Sequence, residues 1–523
     1  MMIKMRILNK IIILALLTVI PQISMAAHKT NHFLSSSLYP KGKKYSLFES
    51  PTYLPEKPFF FKTESADKKY GLYFKGIMSA HGDAFYNTQG IIMNMGVSGL
   101  SLYNMSNVYR TWIYQASPII GAKLDDHIHL LFNPDFGQNQ YRIFEANVDI
   151  NYYRSLSILA GFQSALISGF SSRAFNYRSF TSNMSPFKET AFNLYGEIGP
   201  SLPDVYGSHL GLNSWLFYEL AMTNGAPDAA FPGYIPFSVN SGGNLYQIDT
   251  FNTGNKAFEG RVFFNPFIKE EGSIFQHLGF GFAGSAMSVI NQIGLPAYLS
   301  IGRNVVFQFS SLENYSIAQG RRNRYHPQFL WSFKNFSVVG DYIISTQNLS
   351  NHFSSNIKNY YDLVQQVNHA GNLEFIWNIT GEDFSIGSNY TPNNNYKPFD
   401  RVGTGAFQLG FRLTNMNLDP SVFNKSYVND AGETQYYYSD PRTSIQKATA
   451  YGVVLNWLWN LNFRLSTEFS YTKFKGGCST GALNAPINAG CGTAANQYIA
   501  QPGSTVVDRP AEIVVFQQAS LLF

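Results

Sequence analysis

Leu461-Asn462-Phe463-Arg464-Leu465-Ser466-Thr467-Glu468-Phe469-Ser470-Tyr471-Thr472-Lys473 is the stretch that decides the fold. Leu461, Phe463, Leu465, Phe469 and Tyr471 fall on one face of a period-two pattern. Asn462, Arg464, Ser466, Glu468, Ser470 and Thr472 fall on the other. Successive side chains of a strand point to opposite faces, whereas a helix brings a residue back to the same face about every 3.6 positions. Only a strand separates these two sets.

The same alternation recurs upstream. Phe144, Ala146, Val148, Ile150 and Tyr152 oppose Glu145, Asn147, Asp149 and Asn151. Phe258, Val262 and Phe264 oppose Glu259, Arg261 and Asn265. Leu373, Phe375, Trp377 and Ile379 oppose Asn372, Glu374 and Asn378. Phe407, Leu409, Phe411 and Leu413 oppose Gln408, Arg412 and Thr414. Each such run is about ten residues, the length a tilted strand needs to cross a bilayer. A soluble β-sandwich also alternates. The aromatic strand ends, Tyr451, Trp457, Trp459 and Tyr471 among them, favour the interfacial girdles of a membrane barrel. Closing the sheet also removes the edges that a large sandwich would have to protect.

Connections come in two lengths. Trp459-Asn460 separates two strands almost directly, whereas Pro420 to Gln446 and Ser479 to Asp508 are long and rich in Gly, Asn, Ser and Pro. Short turns at one end and long loops at the other are the barrel asymmetry. The chain ends on alternating Ala519, Leu521 and Phe523. That ending resembles the assembly signal of outer-membrane proteins and implies the barrel-assembly machinery as a partner through Phe523.

Composition agrees with a membrane barrel. Aromatic residues make up 16% and charged residues only 14% of 523, with a mean hydropathy of −0.13, where soluble domains carry about 25% charged residues. Lys4, Arg6 and Lys10 precede the apolar run Ile11 to Ile20, interrupted only by Thr18, and then Ser24-Met25-Ala26. These features predict a signal peptide over 1–26; the run is too short to cross a bilayer as a helix. Removing its three basic residues from the 38 leaves 35 against 33 acidic residues, so nothing points to nucleic acid. Residues 27–69 are Lys-, Ser- and Pro-rich without a sustained period and read as a largely irregular periplasmic lead-in. Their Phe59-Phe60-Phe61 cluster reads either as a dock on the barrel mouth or as exposed apolar surface. The barrel itself spans 70–523.

Cys478 and Cys491 are the only cysteines and bracket a Gly/Ala/Asn-rich segment. They read either as a disulfide stapling a surface loop of an exported protein or as two free thiols.

Several stretches resemble the phosphate-selective porin O and P family of Gram-negative bacteria. They are Asn133-Pro134-Asp135-Phe136-Gly137, similar to an early turn, and Gly161-Phe162-Gln163, which opens the segment before a constriction loop. Ile379-Thr380-Gly381-Glu382 with Pro398 and Phe399, Gly405 to Arg412, Leu455-Asn456-Trp457 to Arg464, and the last strand follow in order over 70–523. Phe407 and Ile379 depart from the family's Trp and Leu, and Gln517 interrupts the apolar face of the last strand. The resemblance implies a 16-stranded barrel, trimeric, with loops folded into the pore. The expected class is therefore all-β: a transmembrane antiparallel β-barrel of about 16 strands with short periplasmic turns and long extracellular loops. It would lie in the outer membrane of a Gram-negative bacterium, among its lipid and lipopolysaccharide.

No Gly-rich phosphate loop, His-Glu-x-x-His or Gly-x-Ser-x-Gly stands in the sequence, so neither a cofactor nor an enzyme is expected. His127 and His129 stand two apart on an expected strand, a weak metal signal without further ligands. Ser208-His209 cannot act as a pair on a strand, since neighbours point oppositely. Arg321, Arg322 and Arg324 read as a basic turn, either solvated near anionic headgroups or forming an anion-attracting vestibule.

Alternation places Lys75, Arg261, Arg412 and Arg464 on the lumenal wall, against Glu145, Asp149, Glu259, Asp341, Glu374 and Glu468. Four cations against six acids make no anion filter. The exception is Ser171 to Lys188, which holds Arg173, Arg178 and Lys188 and no acid. Its position matches the family's inward-folded constriction loop, where three cations could bind an oxyanion by charge-assisted hydrogen bonds; an ordinary surface loop is the other reading. The function expected is passive diffusion of small hydrophilic solutes or anions, with a modest anion preference set by that loop. The alternative is a structural or adhesive surface protein with a plugged barrel.

Overall fold

The computed structural model describes residues 61–64, 70–86, 91–96, 99–104, 109–125, 127–136, 142–167, 188–201, 212, 214–224, 237–239, 245–247, 256–292, 295, 298–302, 305–309, 314–353, 363–383, 392–428, 434–479 and 505–522. The expected signal peptide, Phe59, Phe60, Arg173, Arg178, Ser208-His209, Cys491 and Phe523 lie outside them.

Long strands run through the whole described chain. They are β1 (Gly71–Tyr86), β2 (Tyr109–Lys123), β3 (Ile128–Asp135), β4 (Arg142–Tyr153), β5 (Leu156–Ser164), β6 (Lys188–Ser201), β7 (Ser214–Thr223) and β8 (Ala257–Phe264). There follow β9 (His277–Gln292), β10 (Asn314–Phe333), β11 (Phe336–Phe353), β12 (Leu363–Asn378), β13 (Ala406–Asn417), β14 (Ile445–Leu458), β15 (Phe463–Ser479) and β16 (Glu512–Leu522). Each pairs antiparallel with its neighbours in sequence. β16 returns to pair with β1, from Ile77 opposite Leu522 to Tyr86 opposite Ile513. Among the described residues the ring therefore closes with sixteen strands.

Alternation decides what each face presents. In β12 every even-numbered residue from Val364 to Asn378 is buried, while Leu363, Phe375 and Trp377 are exposed. In β15 the inward set Arg464, Ser466, Glu468, Ser470 and Thr472 is buried. The inside is thus the polar face, and the outside carries Phe258, Val262, Phe280, Phe282, Phe375, Phe411 and Val453. A soluble fold would bury those side chains; a barrel turns them to lipid. Aromatic contacts gather at the turn end, where Trp457 stacks on Phe407 at 5.7 Å and lies 5.2 Å from Trp459.

The turn end holds the two-residue connections Arg154-Ser155 and Lys334-Asn335, the latter with Lys334 at φ 52. Its β2–β3 connection closes on Asp125, whose carboxylate accepts the amides of His127 (2.6 Å) and Ile128 (2.8 Å). The amide of His127 above all, and then the Tyr152 hydroxyl, hold the Asp125 carboxyl below its ordinary range. One connection breaks the expected asymmetry. The long connection between β12 and β13 starts and ends at the turn end, and within its described residues the Lys397 amide donates to Val402 and the Gly405 amide to Asn394. There Glu382, itself buried, accepts the Asn393 amide at 3.1 Å.

Several expected placements are corrected. Arg321, Arg322 and Arg324 are not in a turn but inside β10, a twenty-residue strand whose register shifts between Ala318 and Arg322. Gly320, at φ 103, takes up that irregularity, and its polar surroundings are what mimic a turn. Asn133-Pro134-Asp135 ends strand β3 at a bulge instead of turning, and buried Asp135 accepts the Ala116 amide at 2.9 Å. His127 lies exposed in the β2–β3 turn, 4.7 Å from the Tyr152 ring, while His129 is buried in β3; they do not share a strand. Within the segment expected to be largely irregular, the described residues Phe61–Glu64 pair with Gly71–Phe74 of β1, which leaves that expectation standing.

The outward face sets a test of the fold. Val453 sits on the lipid side of β14, between Tyr451 and Trp457. Val453→Arg is expected to destabilise the barrel by about 2–4 kcal/mol in unfolding titrations from lipid vesicles. A change near zero would place this face away from lipid.

Candidate functional site

The inward wall between β8 and β10 is where the sequence puts most of its chemistry on one surface. β9 carries small residues inward: Gly279, Gly281, Ala283 and Ser285. Across the ladder Ala283 faces Arg261 of β8 on one side and His326 of β10 on the other. Ser285 likewise separates Glu259 from Arg324. A strip of small side chains thus lies between two columns of large polar ones. The strip is already fitted at one end: a Cβ on Gly281 would meet Cδ2 of Phe263 at 2.5 Å.

The connection after β5 enters this dent. Ala165, Leu166 and Ile167 are buried, at 0, 1 and 1% exposure, and Ala165 and Ile167 pack on Ala283. Both walls hold them. Glu259 accepts the Leu166 amide at 2.9 Å. His326 Nδ1 lies 2.6 Å from the Ile167 carbonyl oxygen, and its Nε2 lies 3.3 Å from Asp341 Oδ1. Ala165 to Ile167 therefore leave β5 on the inward side, and the chain is back on the wall at Lys188, the first residue of β6, opposite Ser164. The side chain of Lys188 is outside the described set.

A second connection enters from the loop end. Tyr298–Leu299 pairs with Val305–Phe307. This hairpin packs with Ile301 and Phe309 in an apolar cluster that takes in Leu349, Met416, Ala450, Val514 and Phe516 of the wall. Tyr298 stacks on Phe307 at 5.1 Å. Its far end is fixed by Glu512 of β16, which accepts the Ser300 hydroxyl at 2.7 Å and the Gly302 amide at 2.9 Å. Beside Glu512, burial pulls the Arg509 guanidinium down to about 10.

Of the expected wall residues, Arg261, Arg412, Arg464, Asp149, Glu259, Glu374 and Glu468 lie buried on the inward face, with Glu145 and Asp341 half-buried. Lys75 lies in β1 opposite Ile119. They do not act as one ring of free charge. Arg412 and Glu468 form an ion pair at 2.7 Å. Arg261 sits 5.6 Å from the Phe217 ring and 5.9 Å from that of Phe263. Asp149 accepts the Tyr195 hydroxyl at 2.5 Å. Glu259 and Asp341 serve the inward connection. The alternation pattern missed Arg322, Arg324 and His326, because Arg321 to Arg324 reads as a turn; counting from buried Leu330 in steps of two reaches all three on the inward face. It also missed the acids Glu219 and Glu512. Among the described residues no group of three or more His, Cys, Asp or Glu is arranged to hold a metal ion. Cys478 is disulfide-bonded.

The closed ring, the lipid-facing exterior and the polar interior define a transmembrane β-barrel of the outer-membrane type. No protein-family model and no curated protein matches the sequence. Among solved structures, the outer membrane channel DcaP of Acinetobacter baumannii aligns over 88% of this chain and 99% of its own, at 8% identity and a TM-score of 0.47. OprB of Pseudomonas putida aligns over 87% and 95%, at 10% identity and 0.43. In-vitro folded OmpT of Vibrio cholerae aligns over 87% and 98%, at 8% and 0.42. The fold of this chain stands on its own strand pairing.

Two outcomes follow from the wall contacts. Glu468→Ala leaves Arg412 buried without its counter-charge and is expected to cost about 3–5 kcal/mol in unfolding titrations, while Arg412→Met with Glu468→Leu costs far less. His326→Ala releases the Ile167 carbonyl, and single-channel recordings should show a larger or noisier conductance; a trace identical to the parent would mean His326 does not hold the segment.

Proposed function

We propose that this chain is a porin of the Gram-negative outer membrane that lets small hydrophilic solutes cross by passive diffusion, without a catalytic step. The observation that carries the reading is the anchored entry of the β5–β6 connection into the lumen, held on one side by Glu259 and on the other by His326. A barrel of about sixteen strands encloses a water-filled channel unless something narrows it, and the inward course of Ala165 to Ile167 supports that role for this connection. A modest anion preference is supported by the cations in its sequence, Arg173, Arg178 and Lys188, and by Arg322 and Arg324 on the inward face of β10. The acids elsewhere on the inward face, Glu374 and Glu219 among them, argue against a high-affinity phosphate filter, so the phosphate-selective family resemblance is carried only as far as anion preference. A homotrimer fits this reading; one of the OmpT structures similar to this chain is a trimer form. Membrane lipid, lipopolysaccharide and the assembly machinery are its other partners.

A second reading, a structural or adhesive barrel with a closed lumen, is favoured by the apolar hairpin of Tyr298 to Phe309 seated among wall residues of six strands, β11 to β16. Planar-bilayer recordings separate the two. Stepwise conductance is expected for the porin, and its absence would favour the closed barrel. Under a salt gradient, Arg173→Ala with Arg178→Ala and Lys188→Ala should shift the reversal potential toward cations; an unmoved potential would remove the connection from selectivity.

A further inference from the structure

The geometry points to a binding site for a phosphorylated lipid headgroup of the outer leaflet, formed outside the barrel by Lys447 and Lys475. The two lysines stand directly opposite each other across β14 and β15. Like charges in that position repel and destabilise a strand pair. Among the described residues neither lysine has a carboxylate within ion-pair distance. The row continues sideways: Lys447 faces Asn417 of β13, and Asn417 faces His369 of β12. These four residues, with Gln446, line a groove of about 500 Å³ on the outward face. It offers two cations and the side-chain amides of Asn417 and Gln446, a donor set that suits phosphate oxygens, while His369 Nδ1 lies 3.2 Å from the Tyr342 hydroxyl.

One acid belongs to the groove, Asp419. Its oxygens already accept the Val367 amide at 2.7 Å and the Ser421 amide at 2.9 Å, so it serves the backbone, and the lining keeps a net charge of +1. Lys473, on the same face as Lys475, adds another cation with its Nζ 5.8 Å from the Tyr471 ring. Asp508, on the short strand beside Gly477, accepts the Gly476 amide at 2.9 Å.

Depth identifies the occupant as a lipid and not a solute. Lys447 is ten residues from Trp457, which stands at the turn-end aromatic group. At about 3.4 Å per residue and about 40° of tilt that is about 26 Å, the height of the apolar band. The lysines therefore lie at the outer headgroup level. Below them Thr449 faces Lys473 and then Tyr451 faces Tyr471, and Leu413, Phe411 and Val453 follow on the exposed surface. A lipid with its phosphate on the lysines lays its acyl chains along that wall. A free anion would use the groove but not the wall.

The test uses the full-length barrel in detergent, titrated with diphosphorylated lipid A and read by native mass spectrometry. Lys447→Ala with Lys475→Ala is expected to weaken binding about tenfold or more, and Lys447→Arg with Lys475→Arg to retain it. Lipid A stripped of its phosphates should bind the parent as weakly as diphosphorylated lipid A binds the alanine variant, and millimolar inorganic phosphate should not displace the intact lipid. Thermal unfolding without lipid A checks the fold: the alanine variant should be at least as stable as the parent, since it loses an opposed like-charge pair. Equal binding by parent and alanine variant, or equal binding of the stripped lipid, overturns the site. Displacement by inorganic phosphate overturns the lipid as occupant. Conductance is unaffected by either result, so the site and the pore fail separately.

Discussion

A strand in a hydrocarbon layer has no water to satisfy its amides and carbonyls, so both of its edges must be paired. That constraint is met here at one seam, where β16 returns to β1 over ten residue pairs from Ile77–Leu522 to Tyr86–Ile513. Everything else hangs on the closure. It fixes which of two alternating faces meets lipid, and it turns Arg412 and Glu468 toward each other in a confined interior instead of toward bulk water. It also leaves every loop-end connection a choice between the outside and the lumen.

Two connections take the lumen, for different physical reasons. The segment after β5 fits because β9 presents Gly281, Ala283 and Ser285 where its neighbours present Arg261, Glu259, Arg324 and His326. Large polar side chains on either side then become clamps for the segment's own backbone, which must find partners once it leaves water. The hairpin of Tyr298 to Phe307 goes in because it is apolar and because the wall it meets, Leu349, Met416, Val514 and Phe516, is apolar too. Burial of that surface drives the docking; Glu512 only fixes its end. The inward wall therefore carries polar clamps at β8–β10 and an apolar seat for the hairpin at the loop end of β11–β16.

The outside is less uniform than a plain apolar cylinder. Apolar residues fill the middle of the band, aromatic residues its edges, and at β14–β15 the loop-end edge becomes cationic. Strand register, not sequence distance, makes that patch: Lys447 and Lys475 are 28 positions apart and adjacent in space.

The alternation around Leu461 to Lys473, the aromatic strand ends and the loop lengths were enough to specify a membrane barrel and to sort residues such as Arg261, Glu374 and Arg464 by face. Those signals are local, because a strand's two faces are written in consecutive residues. The same locality explains the errors. Around Gly320 a bulge breaks the alternation, so Arg322 and Arg324 lost their face and looked like a turn. The connection between β12 and β13 reads as part of a resemblance without disclosing that it starts and ends at the turn end. What the sequence by itself determined is the strand set, its two faces and its closure. What only the tertiary structure decided is which charges neutralise one another, which connections fill the lumen and which lysines meet, since these depend on the register between strands far apart in the chain, and no residue carries that register alone.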